Sequence, residues 1–116
     1  MAQSSTVAVA IASGASLSGS LAVEGKDVVA VMMPAAWDAA NLTFQGSHDN
    51  VTFQNVYDDA GTELVVTAAA ARYITLGTAI KLLRGVRFLK VRSGTAGTPV
   101  NVTANRAFFL ITGERF

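Results

Sequence analysis

The sequence predicts an all-β fold: a single antiparallel β-sandwich of about eight to nine strands with one short helical turn, either jelly-roll or galactose-binding-like in its strand order. Three observations predict it. Apolar and small polar residues alternate at period two in several short runs, which places each run's apolar side chains on one face of a pleated strand. Clusters of Gly, Ser, Asn and Asp punctuate those runs at intervals near the roughly 8–12 residues expected of a sandwich or barrel. Strands do not alternate with long helical patterns, which argues against a parallel α/β sheet.

The elements follow in order. Ser4 to Ala12 alternates Val7, Val9 and Ile11 with Ala8 and Ala10, a first strand, and residues 13–16 (SGAS) are a turn. Leu17 to Glu24 alternates again and ends at the turn Gly25-Lys26-Asp27. Val28 to Met33 is a continuous apolar run, the pattern of a strand buried on both faces, and Pro34 ends it by removing a backbone donor. Trp37 reads as a plug over the end of the core. The clearest local signal is Asn41 to Asp59, NLTFQGSHDNVTFQNVYDD. It is a hairpin in which Leu42, Phe44, Val51 and Phe53 face the core and Gly46 to Asn50 form a polar tip. Glu63 to Thr67 and Arg72 to Leu76 read as strands, and Gly77 to Arg84 as one or two helical turns. Gly85 to Arg92 reads as a strand in which neither alternating face is clean, so that only a bulge near Leu89 would put Lys90 and Arg92 on one face with Arg87, and residues 93–99 read as a long loop. Val100 to Thr103 and Arg106 to Thr112 close the chain as strands. No linker divides residues 1–116, and the ends, 1–5 and 113–116, read as arms able to dock on neighbours.

Composition narrows the function classes. Hydrophobic residues are 51% and charged residues 15%, the reverse of a disordered chain. A formal net charge of +1 argues against nucleic acid as the partner. Without cysteine there are no disulfides and no thiolate metal sites. No apolar run is long enough to span a bilayer, so no membrane partner is expected. The first residues lack a positive n-region, which points to synthesis in the cytosol without export.

No catalytic set stands out. His48 is the only histidine and falls at the hairpin tip, with no second base or orienting group beside it in sequence. Asp49, Asp58, Asp59 and Glu63 lie in neighbouring turns but lack calcium-loop spacing, so no metal is expected. The densest run of one sign is Lys81, Arg84, Arg87, Lys90 and Arg92. It reads equally as a solvated edge strand or as a contact for an acidic protein partner.

Residues Ser47 to Phe53 followed by Asn55-Val56-Tyr57 resemble the S-x-D-G-x-x-F/W-x-x-V hairpin of discoidin-like sandwiches, with Asn50 where glycine is usual. Asn also tolerates positive φ. The paired segments RYITL and VRFLKVR resemble strands of the same architecture. A longer pattern, MPAAWDAANLTFQGS, VYDDAGTELVV and LLRGVRFLKVRSGTAGTPVN, runs from about Val31 to Asn101. It resembles small proteins encoded among the virion genes of tailed bacteriophages. That resemblance implies a non-enzymatic virion structural protein without cofactor, a capsid decoration (cement) protein that stabilises the shell as a homo-oligomer. Its partner would be the major capsid protein or another virion protein, its location the capsid surface. The discoidin-like resemblance implies an alternative, a carbohydrate-binding module of a phage surface or tail fibre, with Trp37, His48, Asp49, Tyr57 and Arg72 as the ligand loop.

Overall fold

The structure is a computed structural model and describes residues 4–114. The alternating runs form β1 (Ser4–Ile11), β2 (Leu21–Ala22), β3 (Lys26–Met32), β4 (Leu42–Ser47), β5 (Gln54–Asn55) and β6 (Tyr73–Thr75). A short helix α1 (Thr78–Leu83) follows, then β7 (Phe88–Ser93) and β8 (Arg106–Glu114). All pairings are antiparallel. They make two sheets of four strands, sheet A in the order β1-β8-β3-β6 and sheet B in the order β2-β7-β4-β5.

That order has a simple origin. Four of the pairings, β1 with β8, β2 with β7, β3 with β6 and β4 with β5, are those of one long ribbon folded in half. Rolling the ribbon sends successive strand pairs to opposite sheets and brings β8 against β3 and β7 against β4. This is the jelly roll, which decides the strand order the sequence left open.

The core lies between the sheets. Val9, Ile11, Val31, Phe108 and Leu110 of sheet A face Leu42, Phe44, Leu89 and Val91 of sheet B, all nearly inaccessible. Trp37 closes one end as expected. Its ring stands edge-on to Phe108, with centroids 5.5 Å apart at 75°, and its Nε1–H donates to the Ala40 carbonyl at 2.7 Å. At the other end Ala79 and Leu83 of α1 join the core.

Several expected strands are shorter than their alternation suggests. From Leu17 to Glu24 only β2 pairs as a strand. Leu17 makes a single bridge to Arg92, and the Ser18 hydroxyl, not a backbone carbonyl, accepts from Val91 N–H at 2.9 Å. Glu63 to Thr67 is extended but bridged only at Glu63 and Val66, although Leu64 and Val66 are buried. Val102 is buried and exchanges backbone bonds with Gly14 and Ala15 rather than joining a sheet. In the hairpin the turn is longer than expected. Val51 is 81% exposed instead of core-facing, because Asp49 ties the loop to its own backbone. Asn50 does take positive φ, at 62°. β7 pairs with β4 in regular register, with no bulge near Leu89, and a register shift lies in β3, between Val28 and Ala30.

Ser4 and Ser5 pair with Gly113 and Thr112 at the margin of sheet A, so these residues belong to the sheet. The remainder of the two expected arms, residues 1–3 and 115–116, lies outside the described residues.

Candidate functional site: the outer face of sheet A

The bulge in β3 decides which side chains reach the surface. Val28 faces the core opposite Thr112. Strict period two would send Ala30 and Met32 inward after it. The extra residue, Val29, reverses the alternation, so Val31 and Met33 turn into the core and Met32 turns out.

The result is a row across the sheet. Ala8 of β1 pairs with Phe109 of β8, Phe109 with Met32 of β3, and Met32 with Tyr73 of β6. Paired residues point to the same face of the pleat. Phe109 is 44% exposed, Met32 50% and Tyr73 59%. In the next row Thr6 and Thr75 are exposed, Ile111 is half-buried and Ala30 is already covered at 2% exposed, and Ala10 beside Ala107 extends the face on the other side. None of these residues is charged. At standard strand spacing and rise the face covers on the order of 300–400 Å².

An antiparallel sheet with one solvated face normally carries polar and charged side chains there. The outer face of sheet B follows that rule. Arg92, though 7% exposed, is met by Glu63 Oε2 at 3.4 Å, by Thr43 Oγ1 at 3.3 Å and by Asn55 Oδ1. Glu63 also accepts from Ala96 N–H at 3.1 Å. The Lys90 ammonium sits 4.3 Å from the Phe53 ring centroid. Sheet B therefore finishes its own surface, whereas sheet A leaves apolar rings open.

The expected basic contact does not assemble. Arg84 pairs with Asp27 at 3.3 Å, Arg87 with Glu24 at 2.8 Å, and Arg92 is buried in the network above. Lys90 covers Phe53, and Lys81 is exposed on α1. Alternation across β7, the turn after α1 and the helix itself separate these cations, and Arg84, Arg87, Lys90 and Arg92 each meet a different partner.

The expected ligand loop is also dispersed. Trp37 and Arg72 lie at the end of the sandwich where β3 leaves sheet A: Met33 N–H donates to the Arg72 carbonyl at 2.7 Å, and the Trp37 segment leads into the first residue of β4. His48 and Asp49 lie past the last residue of β4, roughly 15–20 Å away at strand rise. Tyr57 bridges to Glu63 on the rim of sheet B. The Trp37 ring is half-buried and packs edge-on with Phe108.

The acids are likewise engaged. Asp49 Oδ1 accepts from the N–H groups of Thr52 and Val51, both at 2.9 Å, and from the Ser47 hydroxyl at 3.1 Å; those bonds lower its pKa. Asp58 Oδ1 accepts from Ala60 and Thr62 N–H, both at 2.9 Å. Asp38 takes Arg106 Nε at 2.8 Å and the Thr103 hydroxyl at 2.7 Å. The Arg106 bond first, then Thr103, pulls the Asp38 carboxyl from its ordinary value of 3.8 to about 2, against the opposing effect of burial. Among the described residues no three His, Asp or Glu side chains are grouped to hold a metal ion, and no helix is long and apolar enough to cross a membrane. An open groove of about 490 Å³ runs between residues 62–67 and β6 with α1; its acids, Asp58 and Glu63, are those already engaged.

No protein-family model, no curated protein and no solved structure matches this chain. The site therefore stands on its own geometry.

Sequence reasoning missed this face because it looked for charge and chemistry. A signal was present. Residues 4–11, 28–32 and 107–112 contain no charged residue on either alternating set, so neither face of those strands is written for water.

Proposed function

We propose that the chain is a structural module that works by laying the outer face of sheet A on another protein, and that the assembly is the virion of a tailed phage, where it serves as a capsid decoration protein. The observation that carries this reading is the exposed row of Phe109, Met32 and Tyr73 in an uncharged sheet face. The run Val28 to Met33 is composed like a strand covered on both faces, and this chain covers the inner face and Ala30 but leaves Met32 open. A second protein supplies the other cover. Contiguous exposed apolar surface on a soluble domain marks an interaction site. The dispersal of every candidate chemical group supports a role by packing. The resemblance of residues 31–101 to phage virion proteins supports the setting, and the jelly roll, a fold shared by viral capsid and lectin domains, is compatible with it.

Binding to the assembled lattice stabilises both partners by linkage, since the shell in its assembled form is the state that binds. The test is mass spectrometry of virions purified from the phage that encodes the chain, with co-sedimentation of the purified chain on its heads. The chain is expected in the heads, and Phe109→Lys is expected to stay in the supernatant while keeping a native circular dichroism spectrum. Absence of the chain from virions and failure to bind heads would overturn the reading. A glycan array with binding at the Trp37 or His48 ends would favour the carbohydrate-binding alternative instead.

A further inference from the structure

We propose that β1 is the edge through which two copies of this chain join, antiparallel about a two-fold axis normal to sheet A, to make one continuous eight-stranded sheet. The four edge strands of the sandwich are very unequal. β2 and β5 have two residues each and β6 has three, with α1 following it directly. Such short edges offer no template for pairing. β1 has eight residues and pairs on one side only, with β8, from Ser4 to Ile11 without a register shift. Its other side presents the N–H and C=O groups of every second residue with no partner strand among the described residues.

Natural edges are guarded by charge, proline or a bulge. β1, SSTVAVAI, has none of the three. This composition suits a copy of itself above other partners. Antiparallel self-pairing sets β1 side chains against β1 side chains, and like charges in that position repel. With no charge on the strand, no register brings two like charges together. The side chains flanking the edge, Thr6, Ala8 and Ala10 outside and Val7 and Val9 inside, are small or β-branched and fit a pleated neighbour. Val7 is half-buried at the margin of the core, so a second β1 beside it completes its cover.

The two-fold axis has a consequence for the outer face. Antiparallel strands related by an axis normal to the sheet keep their outer faces on the same side. The two uncharged faces become one, roughly 600–800 Å² by the same strand geometry, close to the ~800 Å² per partner of a standard interface. A single face falls well short of that figure. This consequence rests on the proposed docking function; the pairing of β1 does not.

The experiment is sedimentation velocity on the full chain from about 1 to 100 μM, joined to hydrogen–deuterium exchange read at β1. The expected result is a species of twice the 12.0 kDa chain mass whose β1 amides exchange more slowly than at low concentration. Thr6→Lys/Ala8→Lys places four like charges on the paired strands through two exposed positions. It is expected to weaken association at least about tenfold while leaving the circular dichroism spectrum unchanged. A single-chain mass throughout the range overturns the proposal, as does a dimer with unprotected β1 amides. Unchanged association of the double variant overturns it too. Monomers whose β1 amides gain protection only on phage heads would assign the edge to a head protein instead. Head co-sedimentation reads the docking face separately, so either idea can fail without the other.

Discussion

Two adjacent phenylalanines separate the fold from the proposed docking face. Phe108 points into the core, is 2% exposed and meets Trp37 edge-on at 5.5 Å; Phe109, the next residue, points out and is 44% exposed. Phe108→Ala removes a buried ring and leaves a cavity, which costs about 3–5 kcal/mol. Phe109→Ala leaves no cavity. Its ring gains roughly half of the ~1.5–3 kcal/mol that full burial of such a side chain is worth, so the loss is about 1 kcal/mol. For 116 residues the unfolding entropy is about 0.24 kcal/mol/K, so each kcal/mol moves Tm by about 4 °C. The expected shifts are therefore about 12–20 °C for Phe108→Ala and about 4 °C for Phe109→Ala. Urea unfolding with a shared m-value checks the free energies directly. Binding to heads should rank the two in the opposite order, with Phe109→Ala weakened and Phe108→Ala binding normally below its own Tm. Equal losses of stability, or a Phe109→Ala loss above about 3 kcal/mol, would mean that Phe109 serves the fold and would refute the assignment of this face.

Other positions give independent checks. Asp38 has a folded pKa held at about 2 by Arg106 and Thr103, below its ordinary 3.8, so its contribution is present above pH 4 and lost as pH falls toward 2. The stability gap between the native chain and Asp38→Asn, read from urea midpoints, should narrow across that window. Arg92→Ala leaves Glu63 without its charged partner in a largely buried site and should cost about 3–5 kcal/mol in thermal unfolding. Gly94 has φ +89°, and a Cβ there would meet Thr98 O and Val100 N at 2.6 Å. Both contacts are backbone and cannot rotate away, so Gly94→Ala should lower Tm by more than 10 °C, or roughly 3 kcal/mol.

The sandwich was legible because period two survives in β1 and β4, where one face must be apolar to make the core, and because β3 and β8 are apolar runs of strand length. The helix from Thr78 to Leu83 was legible from its run of helix-forming residues after Gly77. What stayed hidden depends on contacts distant in sequence. Alternation over Val100 to Thr103 does not reveal that Val102 bonds to Ala15 rather than to a strand. The bulge at Val29 was invisible inside a run that is apolar at every position, yet it alone turns Met32 outward. The Lys81 to Arg92 run looked like one patch because sequence shows density of charge and not direction. Asp27, Glu24 and Glu63, which answer three of its members, lie 29 to 63 positions away. The hairpin tip was legible in part: Asn50 takes positive φ as its type allows, while Asp49 turns Val51 out of the core through bonds that alternation cannot show.

The most direct test of the docking face is co-sedimentation with purified phage heads of three proteins: the native chain, Phe109→Lys on sheet A, and Arg87→Ala in the bend just before β7 of sheet B. All three should show the same circular dichroism spectrum. The account predicts that the native chain and Arg87→Ala pellet with the heads and that Phe109→Lys remains in solution. Pelleting of all three to the same extent, or loss of binding only in Arg87→Ala, would contradict it.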